Sequence, residues 1–389
     1  MIQNGMNKSF DAIVLGVGSM GSSTCYYLAS RGYRVLGLEQ FDIPHDQGSH
    51  AGQSRIIRKA YFEHPDYVPL LERAYENWKE IERKTDAQIY FPTGLLYAGK
   101  PGDVLIKGVR ESAAKYKLKV DSLSKSDTKN RFPQFQIPEG YEVLFEPDAG
   151  FVTPERAILL FVEQAIRNGA KIHTKEKTTS WKKDGDLITI ITDKNTYTCK
   201  KLIITAGAWA GSMISGLSSQ LKVTRQVIAW VNPKEQKPFE LGQFPCWMID
   251  DHTQPGMYYG FPVLPVSKFG APIGLKVALH HPGLVSNPDA VNRIPSKEDE
   301  SQLVEALNKY LPTGYESTHV LKTCLYTNTP DENFILDFLP GYDQQVVIAA
   351  GFSGHGFKFV SVVGEIMADL AMNGKTELPI GFLNAQRFN

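Results

Sequence analysis

Residues Gly16-Val17-Gly18-Ser19-Met20-Gly21 follow directly on the apolar run Ala12-Ile13-Val14-Leu15, and no other stretch restricts the fold as strongly. The run reads as a short buried strand. Residues 22–31 read as a helix, with apolar side chains at helical spacing and a stop at Gly32. Val35-Leu36-Gly37-Leu38 is a second buried strand, ending in Glu39, 18 residues after Gly21. In such a βαβ unit Gly16 permits the tight turn, Gly18 lets the backbone approach a pyrophosphate, and Gly21 allows close packing of helix on strand. The helix N-terminus offers amide donors and a positive potential to a diphosphate, and Glu39 can accept hydrogen bonds from an adenosine ribose. A dinucleotide is the expected ligand. The fingerprint alone leaves FAD and NAD open.

Two later segments repeat the pattern of an apolar strand entering a glycine turn. They are Leu202-Ile203-Ile204-Thr205-Ala206-Gly207 and Val346-Val347-Ile348-Ala349-Ala350-Gly351, the second followed by a helix-like stretch over 362–372 closed by Asn373-Gly374. All three segments are expected in one sheet, separated by long excursions. The excursions, around 86–145 and 216–320, are rich in Tyr, Phe, Pro and Trp and alternate as antiparallel strands do, with one helical stretch over 297–311. No fixed-period repeat is present. A chain of 389 residues exceeds the size of a single core, so two domains are expected.

The 42 Lys and Arg balance the 42 Asp and Glu, which leaves no global field to draw nucleic acid or an anionic membrane. Cys25, Cys199, Cys246 and Cys324 are widely spaced, without a CxxC pair or a metal-ligand rhythm, and point to a reducing compartment. Residues 1–10 lack an apolar core of signal-peptide length, no apolar run is long enough to span a bilayer, and Gln386-Arg387-Phe388-Asn389 matches no peroxisomal address. The cytoplasm is the expected location.

The stretch Gly48-Ser49-His50-Ala51-Gly52-Gln53-Ser54-Arg55-Ile56-Ile57-Arg58-Lys59-Ala60-Tyr61 resembles a segment of the monomeric sarcosine oxidase family, which includes N-methyltryptophan oxidase and pipecolate oxidase. Cys324-Leu325-Tyr326-Thr327-Asn328-Thr329-Pro330-Asp331-Glu332 and Gly351-Phe352-Ser353-Gly354-His355-Gly356-Phe357-Lys358-Phe359 resemble the same family. So does the shorter Tyr258-Tyr259-Gly260-Phe261-Pro262, followed by Gly274-Leu275-Lys276. These matches run in the family's order over nearly the whole chain.

The resemblance implies an α/β fold: a Rossmann-like FAD-binding domain of glutathione-reductase type, with a second, antiparallel-sheet substrate domain. The FAD domain is expected over residues 1–85, 146–215 and 321–389, and the substrate domain over 86–145 and 216–320. It also implies 8α-S-cysteinyl FAD attached at Cys324. On composition alone Cys324 reads as a small buried core thiol, whereas attachment needs a thiolate close to positive charge. Arg58 and Lys358 match the pair that holds the substrate carboxylate. A planar guanidinium offers a carboxylate two parallel donors, and an ammonium adds a second charge. Arg58 follows Ile56-Ile57 and Lys358 stands between Phe357 and Phe359, neighbours that suit partly buried cations. Lys276, inside an apolar strand pattern, matches the lysine that promotes reaction of the flavin with oxygen, where positive charge stabilises developing superoxide.

His280 matches an active-site histidine and Tyr259 a pocket tyrosine. Ser49, Ser54, Arg55, Gly354, His355 and Gly356 fall on motif positions near the flavin. Neither His280 nor His355 has the spacing to Cys or carboxylates that a metal site requires, so no metal is expected. Compared with the sarcosine oxidase pattern, Ala51 and Lys59 replace histidines and Gln53-Ser54 replaces an acid–threonine pair. The segment 247–257 is slightly longer. These changes bear on the substrate's side chain, and the first motif is more similar to pipecolate oxidase.

The implied reaction is oxidation of the C–N bond of a secondary amino acid, sarcosine or another N-methyl amino acid, to an imine by a monomer, with O2 reduced to H2O2. A pipecolate or other cyclic imino acid oxidase and a fructosyl-amino acid oxidase share most of these motifs. A flavin-dependent amine dehydrogenase and a non-catalytic nucleotide-binding module are further alternatives. The helix after Gly356 is expected to direct its positive end towards the flavin.

Overall fold

The computed structural model describes residues 8–281 and 283–388. The chain divides into two compact units, one formed by Met1–Ala51, Pro154–Val223 and Leu325–Asn389, the other by Gly52–Thr153 and Thr224–Cys324.

The first unit is built on an eight-stranded sheet. Ser9–Leu15 lies at its centre, parallel to Val35–Leu38 on one side and to Thr196–Ile204 on the other. Lys171–His173 continues the parallel sheet beyond Val35–Leu38. The long strand Thr196–Ile204 serves two neighbours: its first half pairs antiparallel with Leu187–Thr192, and its last three residues run parallel to Val346–Ala350. The three expected strands therefore do share one sheet. Ile13, Leu15, Leu36, Leu38, Leu202, Ile204 and Ile348 join one core, while Val14, Ile203 and Val347 are equally buried. Apolar side chains on both faces explain why these strands read as continuous apolar runs.

The helix Ser19–Ser30 packs against Pro154–Arg167 and Val360–Asn373. Its contact with the last of these is close enough that a Cβ on Gly364 would meet Ser23 Oγ at 2.1 Å. That crowding is why small residues, Ser22, Ser23 and Thr24, occupy buried positions in the helix.

The second unit is dominated by a nine-stranded, largely antiparallel sheet. Its middle runs in the order Lys222–Asn232, Leu275–His280, Met257–Phe261, Cys246–Asp250, Leu95–Gly99, Glu142–Glu146. Register sorts the side chains into two faces. Ala229, Val277, Tyr258, Trp247, Leu96 and Phe145 point into a core closed by Leu303, Ala306, Leu307 and Tyr310 of the helix Lys297–Tyr310. The capping box of Ser296 and Asp299 starts that helix.

Residues 52–85 and 146–153, expected with the FAD domain, group with this second unit. Arg55–Ile57 and Tyr90–Phe91 both pair with Gly150–Val152 in a three-stranded sheet, and Glu82 accepts from Ile89 N and Tyr90 N at 2.6 and 2.7 Å. Among the described residues no helix is long and apolar enough to cross a membrane.

Candidate active site

In the first unit the glycine turn is a cradle made by the absence of side chains. Gly16 has φ +86°, and a Cβ there would lie 2.8 Å from Thr205 O; one on Gly21 would lie 1.9 Å from Gly16 O. A Cβ on Gly18 would meet only His50 Nδ1, at 3.9 Å, so the backbone at Gly18 is open to an approaching group. Glu39 is buried, and its two oxygens accept from Val17 N and Phe41 N, each at 2.9 Å. Burial pushes its carboxyl above the usual range, against those backbone donors. Each oxygen keeps lone-pair capacity for a hydroxyl. An open glycine, a helix N-terminus and an oriented carboxylate together fit the diphosphate and ribose of FAD. Ser49 is exposed in the loop that follows.

The Gly351–Phe359 segment forms a second tight piece of the same unit. Gly354 has φ +79°, and a Cβ on it would be 2.3 Å from the Tyr326 ring; one on Gly356 would be 2.6 Å from Phe352. His355 is buried, with its Nε2 3.0 Å from Glu332 O and its ring 4.7 Å from that of Phe334. Lys358 is 5% exposed and donates to His355 O at 2.7 Å. The short turn Phe357–Phe359 leads directly into the helix Val360–Asn373.

The second unit carries the other site residues on the sheet face opposite its helix-covered core. Cross-strand pairs Phe261 with Lys276, Tyr259 with Ala278 and Met257 with His280 bring Tyr259, Lys276 and His280 onto one surface. Trp230 stands opposite Lys276 on the next strand. Lys276 is 2% exposed; its ammonium donates to Gly52 O at 2.6 Å, Ser54 O at 2.7 Å and Ser54 Oγ at 3.2 Å, and lies 4.4 Å from the Phe261 ring centroid. A lysine in so dry a place is an electrostatic device rather than a surface charge.

Cys324 packs with Ile228, Trp230 and Ala278 on the same face, beside Tyr259. Burial raises its thiol pKa, while Arg55, Lys276 and Arg293 pull the other way. Arg55 donates to Ser54 O, and Ser54 is fully buried.

Arg58 lies at the end of Arg55–Ile57 and is 2% exposed. Its guanidinium donates to both carboxylate oxygens of Glu63, at 2.6 and 2.7 Å, and to Ala60 O at 3.0 Å. The Tyr61 and Phe62 rings flank it at 4.3 and 4.4 Å. Burial opposes its charge, and Glu63, with Tyr97 and Tyr61, more than restores it.

Sequence motifs did not single out Glu63 or Trp230, and marked Gln53 only as a departure from the family pattern. Gln53 takes φ +65°, accepts from Trp230 Nε1 at 2.9 Å and donates to Gly270 O and Pro272 O. It thereby fixes the turn whose carbonyls hold Lys276. A polar residue between a glycine and a buried serine was the available signal. Among the described residues no cluster of three His, Cys, Asp or Glu could hold a metal.

The family model for FAD-dependent oxidoreductases matches residues 11–370. Monomeric sarcosine oxidase of Streptomyces avermitilis is 37% identical over 383 residues, covering 98% of each chain. N-methyl-L-tryptophan oxidase of Escherichia coli is 34% identical over 383 residues, covering 97% of this chain and 99% of the other. Among solved structures, NikD, described as an unusual amino acid oxidase essential for nikkomycin biosynthesis, superposes with a TM-score of 0.84 at 26% identity, covering 97% of this chain and 98% of that one.

Proposed function

The chain belongs to the FAD-dependent oxidoreductase family, and from that premise we propose that it oxidises a secondary amino acid, sarcosine or another N-methyl amino acid, to the imine, with O2 reduced to H2O2. The observation that carries this reading is the sheet face on which Lys276, Tyr259 and His280 stand in register beside Cys324.

Bound FAD supplies the two-electron acceptor for the carbon next to nitrogen; the chain supplies orientation and charge. Arg58 receives the substrate carboxylate in exchange for Glu63, and Lys358 contributes a second cation. Tyr259 and His280 line the substrate's other side. Lys276, held by three oxygen acceptors, places a fixed positive charge where negative charge develops as O2 is reduced. Gly16, Gly18, Gly21 and Glu39 hold the adenosine diphosphate half, with Ser49, Ser54, Arg55, Gly354, His355 and Gly356 as further cofactor contacts.

Cys324 is the attachment point for FAD, as the family resemblance implies; Arg55, Lys276 and Arg293 work against the burial that raises its thiol. The relatives named monomeric support a monomer, and four free cysteines support the cytoplasm. The run Gln53-Ser54-Arg55-Ile56-Ile57-Arg58-Lys59 favours a cyclic imino acid such as pipecolate as the second reading.

A visible spectrum before and after acid precipitation, followed by anaerobic addition of sarcosine, N-methyltryptophan and pipecolate, tests the assignment. A yellow pellet is expected, turning to a yellow supernatant in Cys324→Ser. The amine that bleaches the flavin identifies the substrate class, and bleaching by none of them overturns the oxidase reading.

A further inference from the structure

Beside Arg58 stands a buried carboxylate that the reaction as described leaves without a task. Glu146 ends the strand Glu142–Glu146 and is 2% exposed. It lies opposite Leu95, on the sheet face that also carries Tyr97. Its Oε1 accepts from Lys59 N at 2.6 Å and Ala60 N at 3.4 Å, and its Oε2 accepts from Ala60 N at 3.3 Å and Tyr97 OH at 2.6 Å. Burial pushes its carboxyl above the usual range in spite of these donors and of nearby Arg58. An ionised carboxylate in this place is costly, and a feature retained at a cost is where function is to be sought.

What Glu146 holds is the stretch of backbone directly after Arg58. That stretch supplies an acceptor and two ring contacts to the guanidinium: Ala60 O accepts from Nη1 at 3.0 Å, and the Tyr61 and Phe62 ring centroids lie 4.3 and 4.4 Å from it. The far end of the stretch is fixed separately, by Ser112 Oγ donating to Tyr61 O at 2.5 Å and by Gly108, where a Cβ would fall 2.5 Å from Phe62 O. When a substrate carboxylate takes the place of Glu63, two short charge-assisted hydrogen bonds are broken and two are made. During that exchange the Ala60 carbonyl and the two rings remain to orient Arg58.

We propose that Glu146 is a positioning residue for carboxylate recognition: by clamping the amides of Lys59 and Ala60 it keeps the Arg58 guanidinium in one plane while Glu63 and the substrate change places. This rests on the amine-oxidase reading for the identity of the ligand, but not on turnover.

The test uses the full-length holoenzyme with N,N-dimethylglycine and its amide, a pair that differs in the carboxylate alone, and binding followed by calorimetry. In Glu146→Ala the Kd for the acid rises by on the order of tenfold, while that for the amide stays within about twofold. Glu146→Gln, which keeps one carbonyl acceptor, falls between wild type and Ala, and this milder variant carries the test if Ala does not fold. The acid's loss disappears when Glu146→Ala is combined with Arg58→Ala, because Glu146 acts through Arg58.

Equal loss for acid and amide, an unchanged acid Kd in both variants, or full additivity with Arg58→Ala overturns the proposal. If the wild type binds the acid yet no secondary amine bleaches its flavin, the oxidase reading fails and the Glu146 result still stands.

Discussion

The two units present their candidate residues by opposite means. In the first, the cradle around Gly16, Gly18 and Gly21 exists because side chains are missing; a single methyl at Gly21 would fall 1.9 Å from a carbonyl oxygen. In the second, large side chains, Lys276, Tyr259, His280 and Trp230, share one face held by the register of long strands. A cofactor common to many enzymes is met by backbone, which tolerates little change. On the proposed reading a particular substrate would be met by side chains, which can be exchanged without rebuilding the sheet.

The comparison can be broken most severely at Gly21. Gly21→Ala is expected to cost on the order of 3 kcal/mol or more through overpacking, and to yield little folded flavoprotein. Gly18→Ala, whose added methyl meets nothing closer than 3.9 Å, should fold normally and lose FAD affinity only. Thermal melts with and without added FAD separate the two, and equal melting temperatures for both variants would remove the distinction between packing glycine and ligand glycine.

Next in size is Lys276→Met. Reoxidation of the reduced enzyme by O2 should slow by on the order of 10² to 10³-fold, with anaerobic reduction by substrate much less affected. Stopped-flow measurement of the two half-reactions decides it; an equal loss in both would make Lys276 a scaffold of the Gly52–Ser54 turn instead.

Lys358→Met tests the proposed role of Lys358 in carboxylate recognition. Its KM for the amino acid is expected to rise by roughly tenfold, with binding of a carboxylate inhibitor weakened in parallel. Unchanged inhibitor binding would exclude Lys358 from carboxylate recognition.

The smallest effect contrasts a buried carboxylate from each unit. Burial works to raise Glu176, but donors on Thr192 and Tyr197 and the His173 ring outweigh it and hold its carboxyl below the ordinary value of 4.5. Its ionised form therefore stabilises the fold above that value, and the contribution is lost as the pH falls through the depressed pKa. Glu146 is shifted the other way, so its ionised form burdens the fold increasingly as the pH rises above 4.5 towards the raised pKa. Chemical denaturation across pH should show Glu176→Gln losing its disadvantage on acidification and Glu146→Gln gaining on wild type as the pH rises. Parallel pH profiles for the two variants would contradict both shifts.

The same contrast explains how much was legible beforehand. The glycine fingerprint is local: Gly16 to Glu39 spans one βαβ unit, and the strand Val35–Leu38 falls where its apolar run stands. Lys276 and Cys324 were readable as odd residues within apolar patterns, and the family resemblance supplied the roles expected of them. The shared face of Tyr259, Lys276 and His280 was not legible, because a slip of one residue in pairing would send each to the opposite side. Glu146 lies 86 or 87 residues from the amides it holds, and nothing in its local sequence marks that partnership. The placement of residues 52–85 escaped for a similar reason: Arg55–Ile57 has only three residues, and its partner strand is Gly150–Val152.

The position of Thr205 bears on how the molecule is made. Its hydroxyl donates to Leu15 O across 190 residues of sequence, and its carbonyl walls in Gly16. At about 5 to 20 residues per second, a ribosome needs roughly 10 to 40 seconds to travel from one side of that turn to the other. Throughout that time Ser9–Leu15 has an open edge towards the missing Thr196–Ile204, and the turn lacks one wall. The cradle for FAD is thus completed only once Thr205 has been made, so the turn at Gly16 gains its last wall late in synthesis.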